Sequence, residues 1–123
     1  MGCYCDCLIK MKIICNKQKQ VFVMVLHGRM DRISAMEFDK SFSEWLKNGE
    51  RFFVVDMQGL EYISSAGLRS LLSANQQLKD NNGQIHLCNV SGLVREVFTI
   101  SGFESLFTVH PSLAEAVNFK QQV

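Results

Sequence analysis

The chain has 123 residues, 47% of them hydrophobic and 20% charged, with a formal net charge of +1. That is the size of one domain with a single sizeable core, and so balanced a charge excludes a broad cationic face for nucleic-acid phosphates. No apolar stretch in the sequence approaches the roughly 20 residues that span a bilayer, so a globular, cytoplasmic protein with no membrane span is expected.

The first ten residues carry Cys3, Cys5 and Cys7 in alternation. Zinc sites usually pair ligands two to four residues apart and add a second pair elsewhere. The alternating thiols lack that second pair, so no metal and no cofactor are expected. Met-Gly-Cys at the start suggests acylation, but Asp6 stands where Ser or Thr would be wanted. Residues 1–10 read as a flexible N-terminal extension, and residues 11–123 as one domain whose natural start is Met11. Cys15 and Cys88 sit unpaired in apolar runs, which suits a reducing compartment.

Lys12 to Asn16 is a short apolar run, and "QVFVMVL", Gln20 to Leu26, is a denser one; both predict strands. The polar "NKQKQ" suits a hairpin connection between them, and His27-Gly28 is read as the end of the second strand. Ala35, Phe38, Phe42, Trp45 and Leu46 then recur at helical spacing. Ser34 and Glu37 offer a capping box at that helix's start, and Asn48-Gly49 a left-handed stop. "RFFVVDM", Arg51 to Met57, predicts a buried strand broken by Gly59. Leu60 to Ile63 leads into "SSAG", after which Leu68, Leu71, Leu72 and Leu78 share a helical face that Asn81, Asn82 and Gly83 terminate. Gln84 to Val90 predicts a strand. Ser91 is expected to cap a helix carrying Leu93, Val94, Val97 and Phe98, closed by Gly102. Glu104 to His110 predicts a last strand, with Phe103 and Phe107 packed under a final helix that Ser112 and Glu115 would cap. The order β-β-α-β-α-β-α-β-α implies an α/β fold of about five strands and four helices. Its sheet is mixed but mainly parallel, with right-handed crossovers.

The paired serines raise the question of catalysis. A nucleophile elbow needs Gly-x-Ser-x-Gly, and no glycine lies two residues before Ser64 or Ser65. His27, His86 and His110 are not placed by spacing as a base, and phosphate-binding glycine loops are absent. A small hydrolase using Ser64 or Ser65 is therefore set behind two other readings. In the plainer one, Ser64 or Ser65 caps the following helix and Gly67 lets the backbone pack closely. In the other, a phosphoryl group at that helix start adds about −1.5 to −2 charges and controls partner binding without unfolding the domain.

Three segments resemble one family. "LHGRMDRISA", Leu26 to Ala35, is similar to its Leu-x-Gly-x-Leu-Asp stretch, with Asp31 in the Asp place. "DMQGLEYISSAGL", Asp56 to Leu68, is similar to its Asp-Leu-Ser-x-Val-x-x-Ile-Asp-Ser-Ser-Gly-Leu signature. "LVREVFTISGF", Leu93 to Phe103, is similar to the segment leading to its last strand. The family is the STAS domain of bacterial anti-sigma factor antagonists. The resemblance implies a non-enzymatic regulator that captures an anti-sigma factor serine kinase and is reset by a PP2C-type phosphatase. It places partner contacts at Asp31, Ser64, Ser65, Ala66 and Gly67. Arg69, off the leucine stripe, is added as an exposed contact beside them.

The match departs from the pattern at the switch itself. The family's acid falls on Ser64, its first serine on Ser65, and its phosphorylated residue on Ala66, which has no hydroxyl. Either phosphorylation has moved to Ser65, less favourably Ser64, or the domain binds constitutively; the sequence reading leans to the second. A one-residue shift at a helix start turns the side chain by about 100°. A second function, a STAS subunit docking on the ATPase of a membrane transport complex, stays open. A monomer is expected.

Overall fold

The computed structural model describes residues 11–118. The Cys3-Cys5-Cys7 segment, the expected extension and the chain's last five residues lie outside them. The described elements are β1 (Lys12–Gln18), β2 (Val21–Met30), α1 (Arg32–Lys47), β3 (Phe52–Ile63) and α2 (Ser65–Asp80), followed by β4 (Gln84–Cys88), α3 (Gly92–Ser101), a 3-10 turn (Phe103–Ser105), β5 (Thr108–His110) and α4 (Leu113–Ala116). The strands lie side by side in the order β1-β2-β3-β4-β5. β1 pairs antiparallel with β2, and every other pairing is parallel. The expected order and the mixed, mainly parallel sheet are present.

Period-two alternation divides the sheet into two faces. Phe22, Met24 and Leu26 of β2, with Phe53, Val55 and Met57 of β3, enter the main core with Phe38 and Phe42 of α1, Leu71 and Leu78 of α2, and Val94 and Phe98 of α3. The alternate residues Val21, Val23 and Val54 form a smaller cluster with Cys88, Ala116 and Val117 on the other face. Both faces of β2 and β3 are covered, so their sequences read as continuous apolar runs. Phe38, Phe42, Phe53 and Phe98 are essentially inaccessible to solvent, and each contributes about 1.5–3 kcal/mol through burial.

Several boundaries differ from the sequence reading. The hairpin turn is only Lys19 and Gln20, with Lys19 at φ +59°, because Asn16, Lys17 and Gln18 of "NKQKQ" are drawn into β1. β2 does not stop at His27-Gly28. It continues to Met30 through register shifts at Val25/His27 and Gly28/Arg29, and Gly28 takes φ +101°. The glycine thus serves an irregular stretch of ladder, a bulge-type role, and does not end the strand. Gly59 does not break β3 either. It pairs with His27, and the His27 ring occupies the space that a Cβ on residue 59 would need. The last strand is three residues long, because Phe103 to Ser105 form a 3-10 turn. Phe103 and Phe107 stack at 5.8 Å and join the main core beside Phe98 of α3, not under the last helix. Ser91 precedes α3 at the cap position but makes no side-chain cap hydrogen bond. Ser112 caps α4 through the Glu115 N–H at 3.3 Å.

Candidate functional site

The site is assembled where β2 and β3 end and α1 and α2 begin. Ser64 is extended (φ −89°, ψ 172°) and its Oγ accepts a hydrogen bond from the Gly67 N–H at 3.2 Å. It is the N-cap of α2, satisfying one of the free N–H groups of the first turn. Its own N–H donates to the Met30 carbonyl at 2.9 Å, which ties the α2 start to the end of β2. Gly67 completes the join. A Cβ there would lie 2.8 Å from Ile63 Cγ1 and 3.0 Å from Met30 Cγ.

Asp31 follows Met30 and caps α1. Its Oδ1 accepts from the Ser34 N–H at 2.8 Å, so the expected Ser34–Glu37 capping box is replaced by Asp31, and Ser34 is buried in the first turn. That N–H donor, with the positive charge of Arg29 adding a smaller pull, holds the Asp31 carboxyl below its ordinary range. Arg29 in turn lies 4.4 Å from the Tyr62 ring centroid, a cation–π contact across the β2–β3 pair.

The predicted residues therefore meet, and each has a distinct setting. Ser64 is half-buried and its hydroxyl is engaged. Ser65 is the first residue of α2 and is exposed. Ala66 is half-buried and packs against the main core. Arg69 is exposed one turn further along. A groove of about 340 Å³ runs between the two helices, lined by Arg32, Ala35, Met36 and Asp39 of α1 and by Ala66, Arg69, Ser70 and Ser73 of α2. Met36 and neighbouring Ile33 are 65% and 61% exposed, high for large apolar side chains. The sequence reading missed Arg32, Ile33 and Met36. Their signal was present, since Ile33 and Met36 lie outside the Ala35-Phe38-Phe42 stripe that faces the core.

The histidines stand elsewhere in the fold. His27 is exposed where β2 shifts register. His86 Nδ1 and His110 Nε2 are 2.8 Å apart, joining β4 to β5. Burial, and then the His110 charge, pushes His86 from an ordinary 6.5 down to about 4. Cys88, fully buried on β4, has its thiol pushed up to about 12 by burial and then by Asp56, so it packs as a small apolar group. Asp56 Oδ1 itself accepts from Asn89 Nδ2 at 3.0 Å and from the Gln58 N–H at 3.1 Å. Among the described residues there is no cluster of three or more His, Cys, Asp or Glu able to hold a metal, and no helix is long and apolar enough to cross a membrane.

The geometry agrees with what the chain resembles. The STAS domain family model matches residues 12–116. BtrV of Bordetella bronchiseptica, named as a candidate anti-sigma factor antagonist, is 39% identical over 111 residues, covering 89% of this chain and 96% of BtrV. Three solved structures share the fold. An anti-sigma factor antagonist from Mycobacterium paratuberculosis superposes with a TM-score of 0.80 at 18% identity, over 88% of this chain and 92% of its own. Unphosphorylated SpoIIAA, an anti-sigma factor antagonist, superposes at 0.79 and 20% identity over 91% and 98%, and SpoIIAA of Bacillus in its phosphorylated form at 0.69 and 20% identity over 87% and 97%. The chain belongs to the STAS domain family and is an anti-sigma factor antagonist-like member of it.

Proposed function

We propose that this protein is a cytoplasmic, protein-binding regulator that captures an anti-sigma factor with serine kinase activity. The capturing surface is that around Ser64, Ser65, Ala66 and Gly67, flanked by Asp31 and Arg69. Capture releases a sigma factor, and phosphorylation of Ser65 ends it until a PP2C-type phosphatase removes the phosphate. The observation that carries the reading is the contrast between the two serines. Ser64 is half-buried and uses its hydroxyl as a helix cap, whereas Ser65 is exposed at the first position of α2. That exposure favours the relocated switch over the constitutive binder to which the sequence alone leaned. The fold's occurrence in a phosphorylated form in SpoIIAA is consistent with it. A phosphate at residue 65 would project from the helix start without entering the core, so partner binding would change while the fold persisted.

The test is a pull-down from native lysate with the wild-type chain beside Ser65→Glu, Ala66→Ser and Ala66→Glu, with mass spectrometry of the captured kinase reaction. The wild-type chain is expected to retain an anti-sigma kinase, and both glutamate variants to lose it. Phosphate should appear on Ser65. If Ala66→Glu keeps every partner, the surface is misplaced. If the kinase captures the chain but leaves Ser65 unmodified, binding is constitutive.

A further inference from the structure

Ser65 and Arg69 are four residues apart on α2 and both are exposed. Residues at that spacing are neighbours on one helix face, with Cβ atoms about 5–6 Å apart. Arg69 also lines the groove between α1 and α2, facing Arg32 and Asp39 of the other wall. Among the described residues, Arg69 and Arg32 take part in no ion pair, and Asp39 in the same groove pairs with neither. Two guanidiniums thus stand at one groove with no anion committed to them.

We propose that Arg69 is the intramolecular partner of a phosphate on Ser65, an inference that rests on Ser65 being the modified residue. In the unmodified protein, Arg69 and Arg32 present their N–H groups at a groove with apolar Ala35, Ala66 and Met36, a surface that suits a partner segment carrying a carboxylate beside an aliphatic side chain. Phosphate on Ser65 supplies a closer, doubly charged anion one helical turn from Arg69. Arg69 turns toward it, because a charge-assisted pair to phosphate is stronger than an open guanidinium in water. The groove then keeps Arg32 and Asp39 on its α1 wall and gains a phosphate at its end, so the partner's carboxylate loses a donor and meets an added negative charge. The switch works by reassigning one arginine, and no backbone movement is needed.

Phosphorus NMR of protein carrying phosphoserine at residue 65, installed during translation so that no kinase is needed, tests this. The midpoint of the phosphate's second ionisation is followed in the native background and in Arg69→Gln, Arg69→Lys and Arg32→Gln. The midpoint is expected to lie roughly 0.3 pH unit lower with Arg69 present than in Arg69→Gln. Arg69→Lys should keep part of the shift, and Arg32→Gln should leave most of it. Equal midpoints in the native and Arg69→Gln proteins overturn the proposal, as does a shift that follows Arg32 and not Arg69. Kinase action on Ser65 is read separately by mass spectrometry, so failure of that reading is distinguishable from failure of this one.

Discussion

His86 shows how a single side chain couples this fold to pH. Its imidazole is half-buried between β4 and β5, against His110, and titrates near 4 where the free side chain titrates near 6.5. Between those values the unfolded chain binds a proton that the folded chain refuses. Stability therefore falls as pH drops from about 6.5 toward about 4 and is flat with respect to this group above that window. Allowing for solvent screening of a half-exposed group, the loss is on the order of 1–2 kcal/mol. Urea midpoints taken across that range should slope downward for the wild type and less steeply for His86→Gln. An unchanged slope in the variant would assign the acid sensitivity to other groups. The same residue scale shows why Ser64 and Ser65, adjacent and chemically identical, differ in role. Ser64 lies outside the helix with an extended backbone that aims its oxygen at the Gly67 N–H. Ser65 is inside the helix, where its side chain projects to solvent.

At the scale of elements, the junction of β2, β3 and α2 is built by close backbone approach. Gly67→Ala should cost about 1–3 kcal/mol, since the added methyl meets Ile63 and Met30 side chains already fully packed. Ser64→Ala should cost about 1 kcal/mol through the lost cap. Chemical denaturation ranks the two, and a neutral Gly67→Ala would show that the α2 start is looser than its contacts indicate. Elements were legible from sequence wherever periodicity and terminators agreed. Phe38 and Phe42 mark the buried side of α1, and Gly49 at φ +101° is its left-handed stop. They were misread where glycine was taken as punctuation. Gly28 and Gly59 lie inside continuous strands, one at an irregular stretch of ladder and one under the His27 ring. The capping residue of α1 was also misassigned. Asp31 and Ser34 are both good caps by type, and only the extended backbone at Asp31 chooses between them.

For the whole molecule, stability is unevenly distributed. β3 is paired on both sides, and Val54 and Val55 are completely buried between β2 and β4. β5 is a three-residue strand paired to β4 alone. Native-state hydrogen exchange should therefore be slowest at Val54 and Val55, approaching the global unfolding free energy, and faster in β5. Comparable protection in β5 and β3 would mean that the sheet opens only as a unit. The site's scaffold lies beyond that doubly paired stretch, where Leu60 to Ile63 of β3 pair with Gly28 to Met30 of β2 alone. A phosphate at exposed Ser65 would act on surface charge and leave the core in place.

The sequence by itself determined the element order, the mixed sheet and the family, because alternation of apolar residues and the spacing of "DMQGLEYISSAGL" are local properties of the chain. It also exposed the missing hydroxyl at Ala66. Only the tertiary structure decided which serine is a cap and which is exposed. It also placed Asp31 at the head of α1 and brought Arg32 and Arg69 to one groove. The two caps turn on the extended backbone at Ser64 and Asp31, which residue type alone does not fix; the groove depends on how α1 and α2 pack together, and contacts between residues more than thirty positions apart leave no periodic trace in a single sequence.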